Sequence, residues 1–112
     1  MQTINKEQIS EKICPNFECA LFLLGKKWNA MILTVLLDYG SLRFTEISNY
    51  VEPCSDRVLA ERLKELEAMG LIQRQTFSNS SLIEYKLTKM GVDLDKTLKS
   101  LHRWSDKWLT KV

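Results

Sequence analysis

What is scarce in this chain limits the answer first. Its 112 residues hold two prolines, four glycines and one histidine. So little Pro and Gly excludes a collagen-like or low-complexity chain. No close Cys/His pair has zinc spacing, so neither a metal nor a cofactor is expected. There is no Gly-rich phosphate loop and no set of acid, base and nucleophile, which makes an enzyme the least expected class. No apolar run approaches the length of a membrane span, and no membrane partner is expected. The opening, MQTINKEQISEKI, has acidic residues and lacks the apolar centre of a signal peptide, so a cytoplasmic location is expected. Three cysteines, an odd count, argue against a closed secreted disulfide framework. Charge of one sign is also scarce: the net is +2, and Arg43 to Lys89 carries seven Lys/Arg against seven Asp/Glu. The basic stripe usual in nucleic-acid binders is absent as a sum. Any such binding must depend on where single charges sit.

What is present reads as one domain with a modest core, from 45% hydrophobic and 27% charged residues. Cys14-Pro15 opens a first helix, since Pro suits the first helical position. Phe17, Leu21 and Leu24 share a face, which Cys19, Phe22 and Leu23 broaden. A helix so apolar all round needs burial on more than one side, and Cys19 is expected inside. After Gly25, Trp28 begins a second helix with Met31, Ile32, Val35, Leu36 and Tyr39 as its core positions. Leu42-Arg43 suits a short strand. Phe44, Ile47 and Val51 recur at helical spacing, and Pro53 forces the preceding residue out of helical geometry.

Ser55 then heads a helix as N-cap, with Leu59, Leu63 and Leu66 as its inner stripe and Gly70 as its stop. LIQRQTF and LIEYKLT alternate as strands around a turn at 78–81. From Thr88 one long helical pattern runs to the end, with Leu94, Leu98, Leu101, Trp104 and Trp108 in a stripe. Helix, turn, helix and hairpin in this order fit a winged helix-turn-helix, whose second helix enters a DNA major groove. They fit equally a small α+β domain without DNA binding.

The string GKKWNAMILTVLLDYGSLRFTEISNYV, with CSDRVLAERLKELEAMGLIQR and IEYKLTKMG, resembles the winged-helix transcriptional regulators of the HxlR type. The match runs in order from about Cys14 to Gly91. The resemblance implies a mostly α, α+β fold: an arm and helix over 1–25, a winged-helix core over 26–88 and a dimerisation helix over 89–112. It implies a homodimeric, sequence-specific regulator on a pseudo-palindromic double-stranded operator.

On the recognition helix the outward residues are Ser55, Asp56, Arg57, Ala60, Arg62 and Lys64. Ser55, Arg57 and Ala60 are the expected groove-facing positions, because the first turn reaches the base edges. Arg43 and Lys64 suit phosphates, which position without specifying. Asn79 is a neutral wing-tip contact, since the tip carries no Arg or Lys. Two tryptophans on a terminal helix are too much apolar surface for water, so Phe17, Leu21, Leu98, Leu101, Trp104 and Trp108 are the expected dimer interface. Relatives use a cysteine at the Cys-Pro position to sense oxidants or electrophiles, and Cys14 matches it. The helix N-terminus and nearby Lys12 favour its nucleophilic form. Cys54, near a second helix N-terminus, is the other redox candidate, able in principle to bond to Cys14 across a dimer. Both cysteines could equally be small core fillers. The alternative function is a protein-interaction module, which the neutral charge balance allows.

Overall fold

The computed structural model describes residues 13–109. Helix α1 spans Pro15–Gly25, with Cys14 as its N-cap. It contributes one buried side chain, Leu23, while Phe17, Leu21 and Phe22 stand exposed. Cys19 is exposed as well, contrary to expectation. The neighbours that were to bury it are themselves uncovered in the single subunit. A bend of 82° leads into α2, Asn29–Tyr39.

Helix α2 carries the centre of the core through Ile32, Leu33 and Leu36. Each such aliphatic side chain contributes roughly 1.5–3 kcal/mol on full burial. The inner stripe is narrower than the sequence implied, because Met31 and Tyr39 face outward. Gly40, at φ 81°, ends α2 and donates its N–H to the Leu36 carbonyl at 2.9 Å. Leu42 then exchanges two backbone hydrogen bonds with Tyr85, at 3.0 and 2.8 Å. The expected Leu42-Arg43 strand is thus a one-residue bridge, with Arg43 beyond it.

Helix α3, Phe44–Tyr50, buries Ile47, and Val51 just past its end is buried too. Helix α4, Asp56–Ala68, buries Leu59, Leu63 and Leu66. Its end is a Schellman motif: the Gly70 N–H donates to Glu67 O and the Leu71 N–H to Leu66 O, both at 3.0 Å. Gly70 makes this possible at φ 83°. Strands β1, Ile72–Thr76, and β2, Ile83–Leu87, pair antiparallel, with Arg74 opposite Tyr85. Leu71 and Ile72 anchor this hairpin in the core beside the three α4 leucines.

The C-terminal pattern is not one helix. A short α5, Lys89–Val92, is followed by α6, Asp95–Trp108. Thr88 caps α5 by accepting from the Gly91 N–H at 3.2 Å. Gly91 packs directly on the Leu71 carbonyl and Leu87, where no Cβ would fit. The Leu94 N–H donates back three residues to Gly91 at 3.1 Å, so the chain tightens and turns before α6 begins. Leu98 of α6 lies in the common core.

Candidate nucleic-acid interface

Ser55 performs the local role its position suggests. Its hydroxyl oxygen accepts from the Val58 N–H at 3.2 Å, satisfying a free amide of the first α4 turn. The Ser48 hydroxyl donates to the Asp56 carboxylate at 2.9 Å, tying α3 to the start of α4. Two short helices are thereby fixed across the turn that contains Pro53. Beyond it, Arg57, Ala60 and Lys64 are all exposed. Their spacing of three and four puts them on one face, which Glu61 shares. Neither Arg57 nor Lys64 has an acidic partner within 4 Å among the described residues.

Arg62 behaves otherwise. It lies on the far side of α4, and its Nε donates to the Lys27 carbonyl at 3.1 Å. Its guanidinium is also 3.5 Å from Glu65. It is therefore removed from the outward set. Glu65 meets Lys26 at 2.8 Å as well, and that ammonium, by hydrogen bond and then by charge, holds the carboxyl below its ordinary range against the opposing effect of burial. These contacts span 35 and 39 residues, and no sequence period signals them. They clasp the elbow between α1 and α2. There Trp28 sits at φ 80°, a left-handed geometry that costs a non-glycine residue about 1–3 kcal/mol. Asn29 is fully buried, its Nδ2 donating to the Leu23 carbonyl at 3.0 Å.

Arg43 and Asn79 stand on other elements. Arg43 is exposed as the N-cap of α3, its N–H donating to Glu46 Oε1 at 2.8 Å. Asn79 turns the wing tip at φ 61°. The tip is exposed and uncharged.

Cys14 is exposed, but Cys54 is buried, and its Sγ donates to the Ser55 carbonyl at 3.5 Å. Burial pushes this thiol up, partly offset by Arg62 and Lys27. A buried, less acidic thiol is poorly placed to react, and Cys54 packs with the core of its own subunit. Of the residues expected at a dimer interface, Phe17, Leu21, Leu101, Trp104 and Trp108 are exposed, whereas Leu98 is buried in its own subunit and drops out. No group of three potential metal ligands occurs among the described residues, and no single helix there is long and apolar enough to cross a membrane. His102 is exposed, 3.4 Å from Asp106.

The sequence model of the HxlR-like helix-turn-helix family matches residues 23–112. The HTH-type transcriptional regulator YodB of Bacillus subtilis (strain 168) is 39% identical over 97 residues, covering 86% of each chain. The crystal structure of quinone-bound YodB from B. subtilis superposes with a TM-score of 0.76 at 41% identity, over 86% of this chain and 100% of that one. The redox regulator HypR in its reduced form superposes with a TM-score of 0.76 at 28% identity, over 82% of this chain and 91% of that one.

Proposed function

The chain belongs to the HxlR-like helix-turn-helix family of transcriptional regulators, and on that footing we propose that it is a homodimer reading a pseudo-palindromic double-stranded DNA operator through α4. The observation that carries this is the solvent-facing row Arg57, Ala60 and Lys64, headed by the capped Ser55 and free of ion pairs with the described residues. Arg57 reads base edges, for which a bidentate guanidinium–guanine pair discriminates by about 1–3 kcal/mol. Lys64 and Arg43 hold phosphates. Asn79 meets the duplex by neutral hydrogen bonds. A twofold dimer sets two copies of α4 about one helical turn apart, and exposed Phe17, Leu21, Leu101, Trp104 and Trp108 supply the joining surface. Such a regulator works in the cytoplasm, one winged-helix unit per subunit.

The exposed Cys14 at the N-cap of α1 is the thiol through which oxidants or electrophiles act. Quinone-bound YodB and the redox regulator HypR support this reading. A thiolate there adds to a quinone ring carbon: the S–C bond forms, the ring accepts the electron pair, and protonation gives the hydroquinone thioether.

The experiment is footprinting on the DNA upstream of its own gene, then titration of the protected fragment with Arg57→Ala and Lys64→Ala proteins. Arg57→Ala loses about 5- to 150-fold in affinity and relaxes the base preference at one position per half-site. Lys64→Ala weakens all sequences alike and lowers the salt slope by about one. A protein-interaction module would show no specific affinity to lose.

A further inference from the structure

Helix α1 is barely attached to the body of its own subunit. Only Leu23 is buried, Leu24 is partly so, and the residues from Cys14 to Phe22 are exposed. Displacement of α1 reaches the rest of the molecule through Leu23, whose carbonyl accepts from Asn29 Nδ2, and through the elbow, residues 25–28. Within the elbow, the Asn29 N–H donates to Lys26 O at 3.2 Å, and the Lys27 ammonium lies 5.0 Å from the Trp28 ring centre. From outside it, Arg62 grips the Lys27 carbonyl and Glu65 grips the Lys26 ammonium. Both of those side chains belong to α4, and Arg62 lies opposite the row Arg57, Ala60, Lys64. A φ of 80° at a tryptophan is held by its surroundings, not favoured by the residue. The elbow thus has an ordinary backbone geometry to relax into once the grip changes.

We propose that Glu65 and Arg62 are positioning residues that couple α1 to the tilt of α4. A load on α1, from a partner subunit or from an adduct at Cys14, moves the elbow, and these two side chains carry the movement to the far side of the DNA-facing helix. The proposal rests on the reading of α4 as the DNA-contacting helix, and the test separates the two.

The full chain carrying Cys19→Ser is labelled at Cys14 with a maleimide-linked polyethylene glycol. Hydrogen exchange of the α4 amides is measured with and without the label, followed by titration with the upstream DNA fragment. With Lys26, Arg62 and Glu65 intact, the label changes exchange in the first turns of α4 by at least about fivefold, the low end of measured couplings between sites. Operator affinity changes by a similar factor. In Arg62→Met/Glu65→Gln the response falls below about twofold, while Lys26→Arg, which keeps the ion pair, responds like the parent. Should the double variant fail to fold, Lys26→Met removes the half-buried partner of Glu65 and tests that half of the grip alone, with the response expected to fall. An undiminished response in the variants, or no response of α4 in the parent, overturns the proposal. A coupled exchange response in a protein with no DNA affinity overturns the DNA-binding reading and leaves the coupling standing.

Discussion

Replacing Trp104 and Trp108 together by alanine tests the proposed surface between two subunits. Both lie on one face of α6 at a spacing of four, and they are 54% and 63% exposed. A tryptophan offers on the order of 200 Å² for burial, so each leaves roughly 120 Å² in water. Covering that area in both subunits is worth about 12 kcal/mol gross at ~25 cal/mol per Å². Interfaces return only part of such a figure, because ordering and imperfect burial oppose it. Half of it, about 6 kcal/mol, still shifts the dimer dissociation constant by roughly four decades. The double variant is therefore expected to sediment as a monomer at micromolar concentration where the parent is a dimer. Its far-ultraviolet circular dichroism stays close to the parent's, because neither ring belongs to the core of its own subunit. A variant that remains dimeric, or a parent that is monomeric at that concentration, refutes the reasoning.

Gly91→Ala sets a new Cβ on the Leu71 carbonyl and 2.9 Å from Leu87 Cδ2. Leu71 O cannot retreat freely, since it accepts from the Thr88 N–H and hydroxyl, so a loss of about 2 kcal/mol or more is expected in urea unfolding. Gly25→Ala meets nothing within 4 Å and serves as the contrast; it is expected to be neutral or stabilising by up to ~1 kcal/mol. Thiol titration of the native protein should count two reactive cysteines, Cys14 and Cys19, with Cys54 reacting only on unfolding; three fast thiols would contradict its burial. The folded-state pKa of Glu65 is depressed, so its contribution is present above the ordinary carboxylate value and is lost as pH falls through the depressed one. The stability difference between parent and Glu65→Gln is accordingly present at neutral pH and vanishes under acid, as followed by urea midpoints.

Local rules made the helix-turn-helix readable in advance. Ser55, Gly70 and the leucines at 59, 63 and 66 each act within one or two turns of chain, and caps and stripes are local properties. The same reasoning misplaced Cys19, because apolar neighbours say that a surface wants covering without saying whose atoms cover it. Met31 and Tyr39 went astray for a related reason: a nearly all-apolar helix has several plausible inner faces, and tertiary packing chose Ile32, Leu33 and Leu36. The turn before α6 depends on the close seat of Gly91 against Leu71, twenty residues earlier in the chain. The roles of Arg62 and Glu65 were hidden for the same cause. A left-handed tryptophan has no signature, since nothing in its chemistry prefers that conformation.

The meagre anchorage of α1 bears on how much active regulator a cell contains. In the proposed dimer, a newly made chain keeps Phe17, Leu21 and Phe22 in water until another copy arrives, so covering α1 and finding a counterpart are one concentration-dependent event. Below that threshold the solitary form is the species offered to proteases. On that proposal the dose of the gene governs survival of the protein as well as occupancy of its targets.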